Sequence, residues 1–249
     1  MTGFRREIHL PEKRLVYFTG SIFISLCVGL LICPSQTLAQ GAANTLQTAT
    51  PEQLKAGLAQ LDAEIAQNPN NGKLYCMRAN IYHFAKDDEH ALTDLDKALE
   101  LNPQDLIALG QRSELYARIH NYNLALADCT QAIKINPRSD VYLSNRGVIY
   151  RQLGQLRESF NDFNQALKIN QKNAAYWFDV GEVLYRMNQY KGSIPYLTGA
   201  IDREKKFANA YYIRGLAYAR LGLIGQSQMD ENVALGLGFK PNPMDFVHP

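Results

Sequence analysis

The sequence predicts an all-α solenoid of stacked helical hairpins, about five of them, preceded by a single capping helix. Three observations carry that prediction. The first is a 34-residue period: "YCMRANIY" (75–82), "LGQRSELY" (109–116), "LSNRGVIY" (143–150), "WFDVGEVL" (177–184) and "YYIRGLAY" (211–218) lie in register. The second is a column of small residues inside these helix-patterned stretches: Ala79, Ser113, Gly147, Gly181 and Gly215. The third is a lone amphipathic segment, "TPEQLKAGLAQLDAEIAQNP", standing before the first copy.

Taken in chain order, residues 50–68 form the capping helix. Thr50 is placed as N-cap, Pro51 at the first helical position and Gln53 to complete a capping box. Leu54, Leu58, Leu61 and Ile65 then share one face. The hairpin units follow at 72–105, 106–139, 140–173, 174–207 and 208–238. Each has two helical segments, parted near "AKDDEH", "IHNYN", "LGQL", "MNQY" and "LGLIG". The second segments repeat as well: Ala91, Ala125, Ser159, Ser193 and Ser227 share a column, as do Ala98, Ala132, Ala166, Ala200 and Ala234. One such hairpin cannot bury its apolar stripe alone, so neighbours must stack. A glycine inside a helix costs about 1 kcal/mol against alanine. Gly147 is worth that cost if two helix backbones must approach closely there.

The pattern resembles the tetratricopeptide repeat (TPR) family, W-x2-L-G-x2-Y then A-x3-F then P, over residues 72 to about 237. Pro69, Pro103 and Pro137 supply the closing proline; Gln171 and Lys205 depart from it, and Glu231 stands where a large apolar residue belongs. The resemblance implies a right-handed superhelix whose first helices line a concave groove. Column by column, it places Asn80, His83, Phe84, Glu114, Arg118, Ser144, Arg151, Phe178, Glu182, Tyr185, Arg186, Tyr212 and Arg220 in that groove. It further implies a binding module for a protein or extended peptide. Co-chaperone members of the family grip a C-terminal carboxylate with Lys, Asn, Asn, Lys and Arg. The corresponding sets here, Cys76, Asn80, Gln111, Val141, Asn145 and Gly110, Glu114, Asn145, Ala175, Asp179, supply no cation, which argues against that use. Arg118, Arg186 and Arg220 instead share a different groove column, with Arg151 one residue off it. This predicts a positive stripe, broken by Glu114 and Glu182, and an acidic partner segment.

Arg78, Arg112, Arg146 and Arg214 fill another column, and Asp94, Asp128, Asp162 and Asp230 fill one on the second helices. The fourth unit has Val180 and Tyr196 in their places. Arginine and aspartate are present together and absent together, so pairing runs within each hairpin: Arg78–Asp94, Arg112–Asp128, Arg146–Asp162 and Arg214–Asp230. Partial burial would make each pair costly to halve.

The ends bear on location. Arg5, Arg6, Lys13 and Arg14 precede the uncharged run 15–33, Pro34 follows, and the small residues Thr37 and Ala39 lead up to a cleavage position after Ala39. Basic, apolar and small-residue regions in that order form a secretory signal over 1–39. If uncut, residues 15–33 are long enough to anchor the chain in a bilayer. Residues 40–49 read as a linker and 239–249 as a tail that Pro241 and Pro243 keep from helix. Residues 1–39 hold four basic and two acidic groups, leaving 22 of each beyond them. A neutral remainder gives no support for nucleic-acid binding.

No catalytic motif, cofactor motif or metal-ligand set appears; Cys76, Asn80 and His83 share a helix face but are too few ligands for a closed zinc site. The expectation is a non-enzymatic TPR scaffold of the exported bacterial type, periplasmic or secreted, or anchored by its N-terminal segment. A self-associating structural component of the cell envelope is the alternative, and Glu231 argues against stacking at that end.

Overall fold

The computed structural model describes residues 50–240. The signal or anchor (1–39), the linker (40–49) and residues 241–249 of the tail lie outside them. The described residues form eleven α-helices and no strand: α1 (Pro51–Gln67), α2 (Gly72–Phe84), α3 (Asp88–Leu101), α4 (Leu106–Arg118), α5 (Tyr122–Ile135), α6 (Asp140–Gln152), α7 (Leu156–Ile169), α8 (Ala174–Arg186), α9 (Tyr190–Arg203), α10 (Ala208–Arg220) and α11 (Ile224–Gly236). The fold is an all-α, TPR-type array of helical hairpins. Two compact units divide at Asp94/Leu95, inside α3.

In the first unit, Thr50 accepts from the Gln53 backbone N–H while the Gln53 side chain accepts from the Thr50 N–H, so the capping box is formed. Leu54, Leu58, Leu61 and Ile65 of α1 pack with Leu74, Met77 and Ile81 of α2 in one apolar cluster. That cluster covers the face a lone hairpin would leave wet.

Local chemistry repeats with the 34-residue period. Asn71, Asp105, Ser139 and Asn173 each cap the first helix of a hairpin by accepting a backbone N–H. Phe207 takes that place before α10, forms no side-chain cap, and stacks on Phe178 instead, ring centroids 4.9 Å apart. Each hairpin turn passes through the left-handed region at one column: Lys86 (φ 62°), His120 (61°), Gly154 (72°), Asn188 (59°) and Gly222 (74°). Only glycine adopts it without a Cβ clash, so three hairpins hold mild strain there.

The second unit shows why the small column exists. A Cβ on Gly147 would lie 2.9 Å from the buried Phe163 ring, and one on Gly181 would lie 2.7 Å from Leu197 Cγ. At Ser113 the hydroxyl donates to the Ala125 carbonyl at 3.0 Å and lies 2.9 Å from Cys129 Sγ. Burial pushes that thiol up to about 11, as a packed core cysteine requires. Leu143, Phe163, Leu167, Tyr176, Val180, Val183 and Leu184 form one cluster joining the third and fourth hairpins.

All four intra-hairpin pairs are present, and each is bidentate. Nε and Nη2 of Arg78, Arg112, Arg146 and Arg214 donate to the two carboxylate oxygens of Asp94, Asp128, Asp162 and Asp230 at 2.6–2.8 Å. The four aspartates are buried. The aspartates hold the guanidinium pKa values above the ordinary range, against the opposing effect of burial. The remaining Nη1 of each arginine reaches a residue 16 positions earlier: Asp62, Asp96, Thr130 and Thr198. The pairs therefore tie each hairpin to the helix before it as well as closing it.

The far end departs from a plain polar stop. Glu231 is half-buried and accepts from Ser227 at 3.0 Å, but α11 exposes Ile224, Met229, Val233 and Leu235, with Met229 70% exposed. Beyond α11, Gly238 (φ 86°) reverses the chain, and the Phe239 N–H donates to the Ala234 carbonyl.

Candidate functional site

The expected groove residues meet different fates. In the first unit, Asn80, His83 and Phe84 are half-buried, and the His83 and Phe84 rings meet edge-on at 5.6 Å. In the second, Glu114 and Arg118 are exposed on α4, and Ser144 is half-buried on α6. Tyr212 is a correction to the groove reading: it is buried, its ring 4.3 Å from Phe239. Phe239 packs on it and only 5% of it is exposed, so it offers little ligand surface.

Arg151, Tyr185, Arg186 and Arg220 come together. They line a pocket of about 410 Å³ with Gly154, Leu156, Asn188 and Tyr190. Its walls are the C-terminal ends of α6, α8 and α10 and the first residues of α7 and α9. Arginine suits a helix C-terminus, where the carbonyl ends are negative. Period then delivers three arginines, one per hairpin, to one rim. Arg118, in the same column, is not among the lining residues.

The arginines differ in their partners. Arg151 Nη1 donates to Asp179 Oδ1 at 3.2 Å and, closer still, to Glu182 Oε2. Its guanidinium lies 5.5 Å from the Phe163 ring centroid. Arg186 Nε donates to Glu182 Oε1 at 2.8 Å. The side chains of Arg151, Asp179 and Glu182 are 16%, 14% and 12% exposed, whereas Arg186 is 53% exposed. Burial raises the Asp179 carboxyl to about 6, with Arg151 opposing and Glu182 reinforcing the shift. Glu182 is thus more than a break in a positive stripe; it joins two of the arginines. Arg220 is exposed and forms no ion pair among the described residues. Tyr185 and Tyr190 complete the wall, ring centroids 5.4 Å apart, and the Tyr190 hydroxyl donates to Asn188 at 2.7 Å. Three guanidiniums against two carboxylates leave one positive charge in excess beside aromatic surface. Such a combination is chemically suited to an anionic group.

Sequence reasoning missed Asn188, Tyr190, Leu156 and Gly154 because they lie on turns and second-helix starts, outside the columns a groove reading inspects. Asp179 falls in a carboxylate-clamp column of the sequence, and its spacing of 28 residues from Arg151 carries no periodic signal.

Residues 72–105 match a tetratricopeptide repeat model, 147–188 a TPR repeat model and 178–226 a further tetratricopeptide repeat model. The chain carries tetratricopeptide repeats. Among solved structures, the TPR chain is similar to YrrB, described as a TPR protein with an unusual peptide-binding site. The two are 20% identical, the match covers 74% of this chain and 94% of that one, and the TM-score is 0.62. It is also similar to MamA, 19% identical over 64% of this chain and 94% of that one, TM-score 0.61. MamA residues 41 to the end from Desulfovibrio magneticus RS-1 are 16% identical over 67% and 94%, TM-score 0.63. At these identities the likeness concerns the fold. No curated protein matches the sequence.

Proposed function

We propose that this TPR chain is a non-enzymatic scaffold outside the cytoplasm, holding an acidic, extended segment of a partner protein against the first-helix face of its later hairpins. The observation that carries this reading is the convergence of Arg151, Arg186 and Arg220 with Tyr185 and Tyr190 on one pocket. TPR arrays present extended binding surfaces, and the similar YrrB structure is described as having a peptide-binding site. Placement outside the cytoplasm rests on the basic, apolar and small-residue order of residues 1–39, the exported bacterial pattern. Intact mass of protein from its native membrane or extracytoplasmic fraction tests export: a chain beginning near Gln40 supports a cleaved signal, and a full-length chain held in membrane supports the anchor. Charge reversal at Arg186 and Arg220 tests binding. It should weaken partner affinity and flatten its salt dependence; unchanged affinity and salt slope would leave the arginines a solvated face.

A second reading, self-association through the end of the array, is favoured by one observation: the exposed apolar side chains of α11. Sedimentation of Met229→Glu against the parent chain separates the two readings. A concentration-dependent dimer lost in the variant supports self-association.

A further inference from the structure

We infer that Glu182 is a built-in competitor for the partner's anionic group, setting the affinity of the arginine pocket from within. This rests on the proposed binding of an acidic segment and adds how that binding is limited. The pocket's three arginines do three different jobs. Arg151 is held by its surroundings: Phe163 lies beneath it, its side chain is only 16% exposed, and its Nη1 donates to both Asp179 and Glu182. Burial leaves it little access to a ligand, and it serves to hold Glu182 in place. Arg220 is exposed and without an ion pair among the described residues. It is the available anchor.

Arg186 stands between them. Its Nε and Nη2 both meet Glu182 Oε1, at 2.8 and 2.7 Å, while its outer face remains open to solvent. A guanidinium has five N–H donors, so Arg186 can accept a second anion without releasing the first. The incoming carboxylate or phosphate then lies close to Glu182, and like-charge repulsion opposes it. Glu182 cannot swing away freely, because its other oxygen is held by Arg151. An anionic side chain therefore meets one open cation, Arg220, and one that is half neutralised. Exchanging Glu182 for its isosteric amide keeps the side chain's size, leaves one oxygen to accept from Arg151 and removes the negative charge beside Arg186. Asp179 still pairs with Arg151, so the variant retains an internal partner for that buried cation.

The test is fluorescence anisotropy on the full chain at low salt, using fluorescein-labelled Gly-Ser-Glu-Glu-Ser-Gly, its Gln-Gln counterpart, and a counterpart with phosphoserine in place of the two glutamates. Binding of the glutamate peptide supports a carboxylate source and stronger binding of the phosphoserine peptide a phosphate source; the Gln-Gln peptide should bind neither the parent chain nor any variant. Glu182→Gln should tighten the anionic peptides about tenfold, Arg220→Gln should weaken them about tenfold, and Arg186→Gln added to Glu182→Gln should erase the gain. Thermal melts establish that each variant is folded, and Arg186→Gln, on an exposed side chain, keeps the test available if Glu182→Gln melts early. If Arg220→Gln weakens binding but Glu182→Gln does not tighten it, Glu182 is a structural ligand of Arg151 and the competitor idea fails while the acidic-partner reading survives. If all three peptides ignore both arginine substitutions, the acidic-partner reading fails with it.

Discussion

The third and fourth hairpins solve the same packing problem with opposite chemistry. Between α6 and α7 the contact is ionic: Arg146 grips buried Asp162 in a bidentate pair, and Thr130 receives its remaining arm. Between α8 and α9 the same columns hold Val180, fully buried, and Tyr196, whose ring lies 6.0 Å from Trp177. The Arg203 guanidinium lies over the ring of that tryptophan at 4.0 Å, and the Gln171 carbonyl accepts from both Trp177 Nε1 and Arg203 Nε. A loop lacking the usual closing proline is pinned by side chains instead. The fourth hairpin still carries buried charge, but shared with its neighbour, as Asp179 and Glu182 of α8 against Arg151 of α6. The fold thus tolerates either solution inside a hairpin, provided both partners change together. A buried ion pair is no better than well-packed apolar groups, while half of one is much worse.

The sharpest way to break this comparison is to leave one partner stranded. Arg146→Ala or Asp162→Ala should each destabilise by about 3–5 kcal/mol, and the double mutant by less than their sum. Grafting the fourth hairpin's solution, Arg146→Val with Asp162→Tyr, should cost less than either single change. Urea denaturation reads all four; a graft as damaging as the singles would show that the surroundings of the third hairpin demand the pair.

The charges between hairpins come next in size. The Asp179 carboxyl, at about 6 in the fold against an ordinary 3.8, keeps its proton to higher pH when folded than when unfolded. Its contribution is fully present below about pH 4 and is lost as pH rises through about 6, roughly 2–3 kcal/mol in all. Asp179→Asn should flatten that part of the stability profile between pH 4 and 7. An unchanged slope would mean that Arg151 cancels the desolvation of the acid.

Close approach of the paired helices can be compared directly. Gly147→Ala and Gly181→Ala should each destabilise by about 1–3 kcal/mol, despite a helix-propensity gain of about 1. Gly181 should suffer more, since its added Cβ meets Leu197 at both Cγ (2.7 Å) and the backbone N (3.2 Å), whereas Gly147 meets only a ring edge. Equal thermal shifts would show that Leu197 moves aside as readily as Phe163.

The smallest effect concerns the turns. Gly154 and Asn188 occupy equivalent left-handed positions, and nothing lies within 4 Å of a Cβ built on Gly154. Gly154→Ala should therefore cost about 1 kcal/mol through backbone strain alone, and Asn188→Gly should gain a few tenths. A Gly154→Ala variant with unchanged melting temperature would remove strain as the distinction between these turns.

By itself the sequence determined the helical hairpins, their period, the need for small residues at Gly147 and Gly181, and the partners of Arg78, Arg112, Arg146 and Arg214. Those features were legible because they are local and recur: each pair spans 16 residues inside one hairpin, and its absence in one copy removed both members. Tertiary structure alone decided the rest. The second partners Asp62, Asp96, Thr130 and Thr198 depend on how each hairpin rotates against the helix before it. The left-handed turns at Lys86, His120 and Asn188 carry no glycine to announce them. Phe239 on Tyr212, and Arg151 on Glu182, join residues whose spacing obeys no period, whereas Glu182 and Arg186 stand four apart on one helix. A repeating sequence states what each hairpin must satisfy within itself; which charge meets which across neighbouring hairpins is settled by rotamer and packing, and the candidate site lies there.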